Sequence, residues 1–153
     1  MKITSLAFEH NSEIPSIYTC DGENINPPLE FVQVPTNAKS LVLIVDDPDA
    51  PMGTFVHWVL FNVSPKSKGV KENSIPDSAI QGLNSANKTG YMGPCPPSNT
   101  HRYFFKLYAL DMKLNLLQKP TKQELEQGIQ GHILDKAELV GLYSRRTETS
   151  PGR

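Results

Sequence analysis

"KSLVLIVDDPDAPMGTFVHWVLFNV", Lys39 to Val63, decides the fold. An apolar run, Leu41 to Val45, ends in three carboxylates (Asp46, Asp47, Asp49) and two prolines (Pro48, Pro51). A second apolar run, Phe55 to Val63, carries His57 within it. Short apolar runs bounded by proline, aspartate and glycine read as strands, here joined by a proline-stiffened turn. Successive side chains on a strand alternate between faces. Ser40, Val42 and Ile44 then face one side, and Leu41, Leu43, Val45 and Asp47 the other. Both faces are apolar, which makes this strand central. On the second strand, Phe55, His57, Val59 and Phe61 share a face, and Val56, Trp58, Leu60 and Asn62 take the opposite one.

Working outward, "HRYFFKLYALD" (His101–Asp111) is a third strong strand, with His101, Tyr103, Phe105 and Leu107 on one face. "ITSLAF" (Ile3–Phe8) alternates and reads as a first strand. Leu29–Val32 and Ala79–Gln81 are expected as short strands. The polar stretch from Ser64 to Gly90 is expected at the surface. Thr121 followed by Glu124 is a capping box that starts a helix after Pro120, continuing through "KQELEQGIQGHIL" despite its two glycines. "AELVGLYS" is read as a last strand. One domain is expected over 1–145, with a polar tail over 146–153. The chain is therefore mainly β, an antiparallel β-sandwich with peripheral short helices.

Thirteen prolines against ten glycines in 153 residues argue for strands and rigid loops rather than helices. Net charge is −1 and no basic block is visible, which excludes the footprint of a nucleic-acid binder. No apolar run approaches the ~18 residues of a membrane-spanning helix. "MKITSLAFEH" lacks the apolar segment of a secretion signal, so a cytoplasmic location is expected. Two cysteines, Cys20 and Cys95, are too few for a metal site by themselves or for a disulfide scaffold, and in a reducing cytoplasm they are read as free thiols.

If the three strong strands are neighbours, their ends bring Asp47, His57, His101 and Tyr103 around one small pocket. Protonated histidine donates from both ring nitrogens and tyrosine from its hydroxyl, which suits an anion. Asp47 is read as orienting His57 and raising its pKa. "GYMGPCPPSNTHRY" (Gly90–Tyr103) supplies a further wall. There Gly93 permits close backbone approach, the prolines, Pro94 first, stiffen the chain, and the amides of Gly93 or Cys95 are candidate donors. By spacing alone, a strand histidine is more often a satisfied core residue, and Asp47–Asp49 more often a turn cap.

"YTCDGENINPPLEF", "DDPDAP", "HWVLFNV" and "GPCPPSNTHRYFFKLYALD", in this order, resemble the phosphatidylethanolamine-binding protein family, its bacterial kinase-inhibitor-like branch above all. The resemblance spans Thr19 to Tyr143. It implies a β-sandwich with an anion pocket formed by Asp47, His57, His101 and Tyr103, edged by Gly93 and Pro94. It further implies a phosphorylated small molecule or phospholipid head group as ligand and no cofactor. A protein target, such as a kinase, and a homodimer follow from relatives. No counterpart of the long C-terminal helix of the eukaryotic members is expected here. Asp49 is assigned to the turn, accepting from loop amides. Cys20 and Cys95 fall in turn-rich segments of the matching motifs and are expected near each other beside the pocket. Two other readings stay open: a hydrolase using Cys95 with a nearby histidine, and a zinc site from Asp47, His57 and His101.

Overall fold

The computed structural model describes residues 1–116 and 119–145; the expected polar tail, 146–153, lies outside them. Nine strands are laid out as β1 (Lys2–Thr4), β2 (Ser12–Glu13), β3 (Leu29–Val32), β4 (Ser40–Asp47), β5 (Phe55–Val63), β6 (Gly69–Val70), β7 (Ile80–Gln81), β8 (His101–Leu110) and β9 (Ile133–Tyr143). One helix, α1 (Lys122–Ile129), and a 3-10 turn at Ser16–Tyr18 complete the described elements. A six-stranded sheet runs β2-β9-β8-β4-β5-β7, and a three-stranded sheet runs β1-β3-β6. All pairings are antiparallel except β2 with β9, which is parallel.

β4 is central, as its two apolar faces require: every one of its residues is buried. Leu41, Leu43 and Val45 pack with Leu60, Trp58, Phe105 and Leu107 and, across the sandwich, with Ile3, Leu29, Phe31 and Val70 of the small sheet. Val42 and Ile44 form a second core with Val59, Phe61, Leu110, Leu125 and Ile129, closed by α1. Thr121 caps α1 through its hydroxyl and receives the Glu124 carboxylate on its own amide, the reciprocal pair the sequence spells.

Several boundaries shift. The first strand stops at Thr4, because Ser5 turns the chain: its hydroxyl donates to Pro28 O and accepts from the Ala7 amide. The helix ends at Ile129, not beyond. Gly131 adopts φ +81°, a left-handed conformation that glycine accepts freely, and the chain reverses into β9. β9 is accordingly longer than expected. β6, which completes the small sheet, was not expected in the polar stretch.

The largest correction concerns β5. It carries two bulges against β4. Val45 faces Trp58 while Asp46 faces Val56, so His57 is an extra residue. The second lies between Leu41 and Leu43, where Asn62 has φ +53°. Strict alternation therefore fails. Phe55 and His57 do share a face, but with Trp58 and Leu60. Val59 and Phe61 turn to the helix side with Val56.

Candidate functional site

Three strand ends and one loop close a cavity of about 280 Å3. Asp47 ends β4, His57 sits at the bulge of β5, and His101 and Tyr103 open β8. All four are buried, and all four line the cavity. The antiparallel order β8-β4-β5 makes this convergence unavoidable, because the end of β4 meets the starts of both neighbours.

Both oxygens of the Asp47 carboxylate are engaged. Oδ1 accepts from the Asp49 amide at 2.7 Å, an Asx turn that folds the chain over the site. Oδ2 meets Nδ1 of His101 at 2.7 Å. The expected Asp47–His57 pair is thus replaced by an Asp47–His101 pair. His57 instead donates its Nδ1–H to the carbonyl of Met92, whose amide in turn donates to His57 O. Burial lowers the His57 pKa, the hydrogen bond to Met92 and the nearby Asp47 charge offsetting only part of it. Neutral His57 with a proton on Nδ1 keeps a lone pair on Nε2. The expected upward bias on His57 is therefore corrected: desolvation outweighs the carboxylate.

Tyr103 packs edge-on against His57, ring centroids 5.2 Å apart, and stacks on His101 at 6.4 Å. Burial first, then Asp47 and Asp49, push its pKa well above the ordinary phenol value, so its hydroxyl stays a donor. Asp49 anchors the turn from outside: its carboxylate accepts from the backbone amide, Nε and Nη2 of Arg102 at 2.8–2.9 Å. That guanidinium holds the Asp49 pKa down to about 2.

The fourth wall is Met92–Pro97. Gly93 lines the cavity, and a Cβ there would lie 2.3 Å from Tyr18 O, so only glycine permits this approach. Its amide is not available to a ligand, however, because it donates to Asn24 Oδ1 at 2.8 Å. Pro94 departs from expectation: it is not among the lining residues and instead accepts the Cys20 amide at its carbonyl. Cys20 and Cys95 lie 5.4 Å apart at Cα and are joined as a disulfide. Their proximity agrees with expectation; the free-thiol reading is corrected by the bond, because it followed from an assumed reducing compartment rather than from geometry. The rest of the lining is apolar: Ala50, Pro51, Phe55, Met92, Pro96 and Pro97. Met92, Pro96 and Pro97 fall in the expected wall and Phe55 shares a face with His57, whereas Ala50 and Pro51 have no sequence signal.

Among the described residues no group of three or more His, Cys, Asp or Glu is placed to hold a metal ion. The zinc reading from Asp47, His57 and His101 is corrected accordingly. No helix among the described residues is long and apolar enough to cross a membrane.

Residues 4–144 match the family model of phosphatidylethanolamine-binding protein. The chain belongs to that family. A UPF0098 protein of Methanothermobacter thermautotrophicus is 51% identical over 150 residues, covering 95% of this chain and 99% of that one. The crystal structure of a phosphatidylethanolamine-binding protein homolog from Chlamydia trachomatis superposes with TM-score 0.91 at 45% identity, covering 94% and 97% of the two chains. E. coli YbcL, described as a member of the mammalian family, superposes at 0.87 with 25% identity, covering 94% and 98%. Membership makes this chain a small β-rich binding protein, and the cavity at the strand ends is its candidate site.

Proposed function

We propose that the cavity binds a phosphate-type head group, free or on a larger molecule, and that the chain works by binding rather than turnover. The observation that carries this is the division of roles in the pocket. Tyr103 offers a hydroxyl donor. His57 offers a lone pair at Nε2, its proton being held at Nδ1 by the Met92 carbonyl. His101 is fixed by Asp47 through Nδ1, which leaves its Nε2 for the ligand. Donors and an acceptor together fit an oxyanion that keeps one proton, such as a phosphomonoester monoanion, or a fully ionised phosphodiester whose neighbouring ammonium donates to the acceptor. The apolar rim then accommodates the carbon part of the ligand.

The hydrolase reading loses its nucleophile, because Cys95 in a disulfide carries no thiolate. Calorimetry with phosphoethanolamine, inorganic phosphate and ethanolamine tests the proposal. The two phosphates are expected to bind and ethanolamine alone to be silent. Tyr103→Phe should weaken phosphate by up to roughly tenfold, the worth of one hydrogen bond at about 0.5–1.5 kcal/mol. Millimolar phosphate that gives no heat and moves neither imidazole in NMR spectra sinks the reading.

A further inference from the structure

We propose that the Cys20–Cys95 disulfide is a redox-sensitive latch on the pocket wall: reducing it frees the chain from Cys95 to Thr100 and weakens ligand binding. The inference rests on the head-group reading of the cavity for its functional consequence, and on the connectivity of the wall for its mechanism.

The wall is tied down unevenly. Met92 exchanges hydrogen bonds with His57, Gly93 is held by Asn24, and Pro94 O by the Cys20 amide. Beyond Pro94 the polar ties stop. Among the described residues no hydrogen bond holds any residue from Cys95 to Thr100. The next anchors are the β8–β9 pairing at His101 and the Asp49 clamp on Arg102. In that interval the disulfide is the sole covalent anchor, and three of the cavity's lining residues, Cys95, Pro96 and Pro97, lie in it. Of these six residues only Pro96 is buried; Cys95, Pro97, Ser98, Asn99 and Thr100 are exposed, so packing at one proline is all that remains to hold the segment when the bond is lost. The same segment leads directly into His101.

Cys95 being exposed, the bond is open to attack by a thiolate. A dithiol reductant supplies the balance. Its two thiols give up two electrons and two protons to become a disulfide, and Cys20 and Cys95 take them up as two thiols. Structural disulfides persist in oxidising surroundings and are lost in reducing ones. The affinity of the pocket would thereby follow the redox poise around the protein. When a binding-competent wall is populated only part of the time, the apparent dissociation constant rises in inverse proportion to that fraction.

The experiment compares three full-length samples: oxidised protein, protein reduced with excess dithiothreitol, and Cys20→Ser. NMR relaxation of the amides of Cys95, Ser98, Asn99 and Thr100 reports the wall, with β4 and β8 amides as the control for an intact fold. Calorimetry with phosphoethanolamine reports the site. The latch predicts faster local motion at those four amides in both reduced protein and Cys20→Ser, unchanged β4 and β8, and a dissociation constant higher by about tenfold. Wall amides that keep the same relaxation on reduction overturn it, and so does an unchanged affinity. If phosphoethanolamine fails to bind the oxidised protein, the head-group reading fails by itself, and the relaxation data still decide whether the wall is latched.

Discussion

Asp46 and Asp47 are consecutive, both buried, and leave β4 on opposite faces. Asp46 turns toward the helix side. Its Oδ2 receives Lys106 Nζ at 3.1 Å and Lys122 Nζ at 2.9 Å, so it ties α1 and β8 to the end of β4. Its Oδ1 is buried without a hydrogen-bond partner among the described residues. Asp47 turns toward the cavity, where its partners are an imidazole and a backbone amide. The same side chain one residue apart thus serves as a tether on one face and as an orienting group on the other. Burial alone does not separate the two roles. What separates them is whether the partner is a flexible ammonium that reaches water or a ring fixed in a cavity.

The largest test of this contrast removes the tether's cations. In Lys106→Met/Lys122→Met the Asp46 carboxylate is left buried and unpaired, which should cost about 3–5 kcal/mol in chemical denaturation. Phosphate affinity should hold. If it falls in step with stability, the two faces are not independent and the contrast breaks. Asp47→Asn comes next. One charge-assisted hydrogen bond is lost, about 1.5–3 kcal/mol, and phosphate should bind at least about tenfold more weakly because His101 loses its fixed orientation. Simple repulsion between carboxylate and anion predicts the reverse, so tighter binding by calorimetry would remove the orienting role.

The third test is a pH profile. Burial holds the folded His57 below its ordinary pKa of about 6.5, so the unfolded chain takes up that proton first as the pH falls. The stability due to neutral His57 is complete above about pH 6.5 and is lost as the pH drops from there toward the folded value. His57→Gln should flatten the melting temperature over that window; an equally steep profile assigns the dependence elsewhere. The smallest effect belongs to Asp49→Asn. Arg102 is more than half exposed, so the clamp is screened by water. With a folded pKa of about 2, its contribution stands above about pH 4 and fades as the pH falls toward 2. Wild type and variant should therefore converge in acid, and a gap that persists at pH 2 means the residue acts through packing.

How much of this was legible depended on whether alternation ran uninterrupted. β4 and β8 keep a strict period of two, so their faces, and the placing of Asp47, His101 and Tyr103 together, followed from the sequence pattern. β5 does not, because a bulge carries no residue signature strong enough to reveal it in advance. β6 is two residues long, too short for any periodicity. The four polar pocket residues stood out because their types are rare on apolar strands and because their motifs resemble a family. Met92, Pro96 and Pro97 belong to a segment the sequence marks as a wall, but Ala50 and Pro51 carry no chemical mark, and only the folded loop shows that they line the cavity. The choice of His101 over His57 as the partner of Asp47 depends on a backbone carbonyl at Met92, which no side-chain pattern encodes.

The extra residue at His57 can also be viewed as a change of parity. Before it, odd-numbered positions of β5 look into the cavity; after it, Trp58 and Leu60 carry that orientation on even numbers, and Val59 and Phe61 are released to the opposite core. The strand thereby serves two masters along one line: a polar mouth at its start and two dry layers behind it. Counting is consequently unforgiving here. Removing one residue between Phe55 and Trp58 would leave every remaining side chain chemically intact, yet the strand would no longer have a position from which an imidazole could face the cavity while Trp58 keeps its place opposite Val45.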